Sequence, residues 1–229
     1  MNSLPLETLK KLVSPVIDPS IPNNLYWPLD LSVSNPNIAA VTASSSTEWE
    51  SYIQNHLNAH DKKVAFGGYL EKRNIYQRSE YFQSATNNRN IHLGVDFWIA
   101  AETSVHAFFE GKVHSFQDNK NHGDYGPTII LEHQFEGASF FSLYGHLSRS
   151  SLKAITLGQQ VKTGDKIAEL GDTSVNGDYA PHLHFQLVLD LEGNHGDYPG
   201  VCTEAEVPRY AINCPDPLPL LDLAAPLPF

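Results

Sequence analysis

The stretch APHLHFQLVLD (Ala180–Asp190) places two histidines two residues apart in a run that otherwise reads as a strand. Successive side chains of a strand point to opposite faces, so residues i and i+2 project together. Leu183, Phe185, Leu187 and Leu189 therefore share one face, and His182 and His184 share the other. A lone histidine there reads as a satisfied surface or core residue. A His-x-His pair on one face equally suits metal binding or acid–base work.

Upstream of this strand runs LGQQVKTGDKIAELGD (Leu157–Asp172), in which Val161, Gly164, Ile167 and Gly171 punctuate two short strands around a tight turn. The layout resembles the hammerhead turn of biotinyl- and lipoyl-type barrels. From Val64 onward, short apolar segments alternate with Gly, Asn and Asp clusters: VAFGGYL, VDFWIAA, SVHAFFEGKVHSF, PTIILEHQF, SFFSLYGHL, KIAELG and HLHFQLVLD. Regular spacing with turn signals between strands predicts a mainly β fold, an antiparallel sheet or sandwich. Gly-Asp-Tyr recurs at 123–125, 177–179 and 196–198 and reads as three turns.

The ends differ from this middle. Leu6, Leu9 and Val13 suit a short amphipathic helix that stops before Pro15. Ser45 and Glu48 form a capping-box pattern. Trp49, Tyr52, Ile53 and Leu57 follow at helical spacing, which predicts a packed helix over 46–59. The chain from Pro208 is proline-rich. The expected organisation is an N-terminal helical extension over 1–62, a β domain over 63–200, and a proline-rich surface tail over 201–229.

Composition narrows the function classes. Hydrophobic residues make up 41% and charged residues 18%, which is globular rather than disordered. No apolar run approaches the ~20 residues that span a bilayer. The balance of 15 basic and 26 acidic residues gives −11, which argues against nucleic acid as a partner. The start lacks a basic leader followed by an unbroken apolar run, so a cytoplasmic address is expected, with the periplasm or cell envelope as the alternative if a leader has been removed. Cys202 and Cys214 are the only cysteines, and without an export signal two free thiols are expected.

Partners for the His-x-His pair come from two other segments. In IHLGVDFW, Gly94 and Val95 argue against a helix, and a glycine-bent loop entering a strand can bring His92 and Asp96 round one point. Taken alone, that pair equally fits a turn with a capping aspartate. In SLYGHLS, His146 ends an apolar strand and alone would read as a satisfied histidine. His106, His114, His122, His133 and His195 have no partner at ligand spacing; Tyr125 and Tyr144 lie near the candidate site in sequence, where either could hydrogen-bond substrate, but core packing is the expected role.

His-x-Gly-x-Asp, then Leu-Tyr-Gly-His-Leu, then His-Leu-His-Phe, with the hammerhead segment between the last two, resembles the lysostaphin-type (LytM-like) zinc endopeptidases over residues 90–190. SVHAFFEGKV and YGPTIILEH are similar to further strands of that family, although Glu102-Thr103-Ser104-Val105 replaces its Gly-Thr-Pro-Val. GGYLEKR, GDYGPTIILEH and NGDYAPHLHFQ look similar to a cytoplasmic branch of it. The resemblance implies one zinc ion held by His92, Asp96 and His184, with a fourth position left for water, as hydrolysis requires. It implies His146 and His182 as the non-ligand catalytic pair, one taking the proton of the water and the other bonding the oxyanion, and a peptide or muropeptide substrate; of the two we assign His182 as the base. Two other readings compete. One is a non-enzymatic LytM-like scaffold or activator. The other is a histidine phosphocarrier of the glucose-IIA type, against which Asp96 counts, because a carboxylate would repel a phosphohistidine beside it.

Overall fold

A computed structural model describes residues 5–38, 45–74, 83–84 and 87–223. In chain order the elements are α1 (Leu6–Leu9), β1 (Tyr26–Pro28), α2 (Ser46–His60), β2 (Val64–Gly67), β3 (Gln83–Ser84), β4 (Asn87–Asn88), β5 (Ile91–His92), β6 (Val95–Trp98), β7 (Ser104–His106), β8 (Gly111–Asn119), β9 (Gly126–Phe135) and β10 (Ala138–Gly145). There follow α3 (Arg149–Ala154), β11 (Gln160–Val161), β12 (Lys166–Glu169), β13 (His182–Val188), β14 (Val201–Cys202) and α4 (Val207–Asn213).

The fold is mainly β, as the strand spacing predicts. An eight-stranded sheet has the order β1-β2-β6-β13-β10-β9-β8-β11. Every pair in it is antiparallel except β1 with β2. Strand β13, which carries His182 and His184, lies in the interior of this sheet, and all seven of its residues are buried. The β9–β10 hairpin turns through Glu136 and Gly137, both at positive φ (48° and 80°), the backbone that matches the twist of paired strands.

The alternation of β13 divides the molecule. Leu183, Phe185 and Leu187 enter the main core with Phe108, Phe140 and Tyr144. The opposite face carries His182, His184 and Gln186. Val188, on that face, joins a second cluster with Tyr198, Cys202 and Cys214. A third cluster packs Leu31, Trp49 and Ile53 against Trp98 and Ala180.

Several details differ from expectation. The strands β11 and β12 do flank a tight turn with Gly164 at φ 81°, but they do not pair with each other. Strand β11 pairs with β8 and β12 with β7, so the turn links two sheets. The N-terminal region carries more than the expected helices. It adds β1 to the main sheet, and Leu9, Val16 and Ile17 lie in the main core. The chain after residue 200 is no surface tail either: β14 pairs with β5, Tyr210 and Cys214 are buried, and Leu218 and Leu220 enter the main core. Residues 224–229 of that segment lie outside the described residues. The predicted helix forms over Ser46–His60, with the Ser45 side chain accepting from the Glu48 amide. Both thiols are free and buried.

Candidate metal centre and active site

Register brings the first side chains together. His184 on β13 lies directly across from Asp96 on β6 and from Gly145 on β10. His92 on β5 reaches the same point because the chain bends at Leu93-Gly94 before entering β6. Close approach requires Gly94: a Cβ there would lie 2.7 Å from the His184 ring and from the Phe185 carbonyl oxygen.

His92 Nε2 and His184 Nδ1 are 2.8 Å apart, and Asp96 Oδ1 is 3.3 Å from the first and 3.2 Å from the second. The outer atoms of both rings are already committed. His92 Nδ1 lies 2.9 Å from the carbonyl of Gly68, which can only accept, so the neutral ring carries its proton there. His184 Nε2 lies 2.9 Å from Gln186 Oε1. The Gln186 amide nitrogen is turned away, towards the Pro199 carbonyl and Cys214 Sγ, so Oε1 accepts from His184. Three lone-pair atoms thus converge: His92 Nε2, His184 Nδ1 and Asp96 Oδ1.

A cation fits such a set. Four tetrahedral ligands at zinc bond lengths would stand roughly 3.3 Å from one another, close to the spacings here. Carbonyl and amide acceptors behind the imidazoles are the usual outer support of metal-ligating histidines. Among the described residues, His92, Asp96 and His184 form the one group able to hold a metal ion. Electrostatics agree. Burial alone would raise Asp96, but His92 and Arg73 outweigh it and hold the carboxyl well below its ordinary range. Burial, partly offset by Asp96, pushes His92 down to about 4, so it stays neutral and ligand-competent at pH 7.

His146 and His182 stand next to this group, their ring centres 4.1 Å apart. His146 Nδ1 donates to the Asn176 carbonyl and His182 Nδ1 to the Ala180 carbonyl, each at 2.8 Å. Both Nε2 atoms are left as proton acceptors, and His182 Nε2 lies 3.9 Å from Asp96 Oδ1. His146 adopts a left-handed backbone at φ 62°, a strained state for a non-glycine residue. It is held by its amide to the Tyr125 carbonyl and its carbonyl to the Gly171 amide. Burial lowers both rings. Asp96 opposes the shift and His184 adds to it at both, and His182 lowers His146 further.

These side chains line a cleft of about 190 Å³. Its walls include Leu31, Trp49 and Ile53 from the N-terminal region and Tyr125, Tyr179 and Tyr198 from the three Gly-Asp-Tyr turns. The five residues singled out in the sequence therefore come together. Tyr144, by contrast, is fully buried in the main core, and His133 is a core residue. Sequence reasoning missed the Gly-Asp-Tyr turns as cleft walls, although their repetition was visible. Tyr125 is buried in the second apolar cluster, as expected, and also walls the cleft, its ring 5.0 Å from that of His184. Sequence reasoning also missed Arg73, Asn176 and Gln186, none of which carries a spacing signal.

Comparison with known proteins agrees with this geometry. Residues 90–196 match the model of peptidase family M23. An uncharacterized metalloprotease of Haemophilus influenzae is 37% identical over 99 residues, 43% of this chain and 19% of its own length. Lysostaphin of Staphylococcus staphylolyticus is 33% identical over 107 residues, 47% of this chain and 20% of its own. The chain thus spans about a fifth of the length of these curated relatives. Among solved structures, the catalytic domain of the antimicrobial peptidase lysostaphin from Staphylococcus simulans aligns with 78% of this chain and 98% of its own, at a TM-score of 0.43 and 23% identity. Residues 90–196, which hold all five of these side chains, are thus similar to peptidase family M23.

Proposed function

We propose that the protein is a zinc-dependent peptidase that hydrolyses a peptide bond in a small peptide, with peptidoglycan-derived peptides the first class to test. The observation that carries the reading is the convergence of three lone-pair donors from β5, β6 and β13 beside two further imidazoles whose Nε2 atoms are free to take a proton. His92, Asp96 and His184 would hold the ion. When bound, a zinc ion supplies Lewis-acid polarisation of the carbonyl and makes water a stronger acid.

The chain's own residues supply the rest. His182 Nε2 takes the proton of the attacking water, because Asp96 Oδ1 at 3.9 Å favours the protonated ring. Its Nδ1 bond to the Ala180 carbonyl fixes the ring orientation. His146 contributes the second Nε2 and donates to the oxyanion once the proton taken by His182 has passed to it. Two rings 4.1 Å apart disfavour double protonation, so the pair carries one proton and can return it to the leaving amine. Close buried carboxylate charge disfavours the phosphocarrier reading at the same place.

The test is hydrolysis of a panel of muropeptides and short peptides by zinc-loaded protein. Cleavage is expected to disappear on chelation, return with zinc, and be absent in His146→Ala. A panel left uncut by the loaded protein refutes the reading and favours a scaffold, and a panel cut equally by His146→Ala refutes the role given to His146.

A further inference from the structure

Arg73 lies outside the stretch that matches the family, on the segment between β2 and β3. Its side chain is only 4% exposed. Nη1 donates to Asp96 Oδ2 at 2.6 Å, and Nε donates to Glu71 Oε2. Glu71 is anchored in turn, its Oε1 accepting from the Leu31 amide at 3.0 Å. The backbone makes room for this arrangement: at Gly68, φ is 103°, and a Cβ would lie 1.8 Å from Arg73 Nη2. The guanidinium also sits over Trp98, 5.5 Å from the ring centre, and His182 stacks on the same indole at 5.9 Å.

We propose that Arg73 is a positioning residue of the metal centre: it takes Oδ2 of Asp96 so that Oδ1 alone faces His92 and His184. A carboxylate has two equivalent oxygens and one soft torsion, so burial by itself does not choose which oxygen, or how many, turns to a cation. A guanidinium chooses, because its donors form a rigid planar fork. Here one arm is fixed by Glu71 and another by Asp96, so the fork cannot turn without breaking a buried charge pair. The line from the Leu31 amide through Glu71 and Arg73 to Asp96 makes the N-terminal region part of the centre's support. Lysine cannot replace it, since one ammonium does not reproduce the spacing of the two arms. The inference rests on the reading that His92, Asp96 and His184 hold a divalent ion.

The test measures metal binding by the full chain, apart from hydrolysis. Metal-stripped wild type, Arg73→Lys, Arg73→Met and Glu71→Gln are titrated with zinc against a chelating indicator, and the visible spectrum of each cobalt-loaded protein is recorded. Both Arg73 variants are expected to bind zinc about 10–100-fold more weakly, with an altered cobalt spectrum. A merely structural ion pair would lower thermal stability and leave both readouts unchanged in the folded protein. A folded Arg73→Lys with wild-type affinity and spectrum overturns the proposal. If neither Arg73 variant folds, Glu71→Gln decides: weaker zinc binding with a shifted spectrum supports the anchor, and no change overturns it. Failure of wild type to bind either metal refutes the metal centre and this proposal together. Metal binding without hydrolysis refutes only the peptidase reading, and the affinity comparison still decides on Arg73.

Discussion

His182 and His184 sit two residues apart on one strand, yet substitutions at them are expected to separate. His184 offers Nδ1 to the donor set, whereas His182 Nε2 stands 3.9 Å from the nearest carboxylate oxygen and is directed to proton transfer. His184→Ala is expected to lose metal and activity together, as read by metal content after dialysis. His182→Ala is expected to keep its metal and lose about 10²–10⁴-fold in kcat. Normal turnover by His182→Ala would mean that the base lies elsewhere. At this scale the pair was legible because a two-residue period puts both rings on one face whatever the fold. Arg73 and Asn176 were not, because each acts through an atom brought near from a distant part of the chain: Asp96 lies 23 residues from Arg73, and His146 lies 30 from Asn176.

Elements carry their own instructions to different degrees. Helix α2 starts where Ser45 can accept from the Glu48 amide and ends at Asp61, which takes the left-handed conformation at φ 54°. Ser45→Ala is expected to cost about 1 kcal/mol in urea denaturation. Because Trp49 and Ile53 of the same helix line the cleft, frayed packing there should also raise KM. Unchanged stability would show that the cap contributes nothing. Helix α2 and β13 were legible because their periodicities and end signals are local. Strands β11 and β12 were legible as strands but not as partners, because pairing depends on which edges the fold leaves available. Short α1 was legible only in part: Leu9 is fully buried but Leu6 is exposed, so the stripe inferred from spacing exceeds the turn that packs.

Across the whole molecule, burial couples stability to pH. His133 is enclosed in the core, with Nδ1 donating to the Glu110 carbonyl and Nε2 2.7 Å from Ser142 Oγ. Burial pushes it down to about 4 from an unfolded value near 6.5. Its neutral form is favoured in the folded state, so the unfolded chain binds the extra proton between those values. Stability from this group is therefore complete above pH 6.5 and is lost as pH falls towards 4, on the order of 3 kcal/mol in all. The pH dependence of the unfolding midpoint, compared between wild type and His133→Gln, checks this. The variant should be less stable at pH 7 but lose less on acidification to pH 4.5, and parallel curves would refute the assignment. The sequence by itself determined the β class, helix α2, and the order of the five chemistry-bearing residues, because strand period, helix caps and motif spacing are properties of contiguous chain. Only the tertiary structure decided that Leu9 and Ile17 from the N-terminal region and Leu218 and Leu220 from the C-terminal region enter the core, that three repeated turns wall one cleft, and that Arg73 holds Asp96. Those facts depend on which surfaces meet, and burial and charge pairing act through space with no regard for distance along the chain.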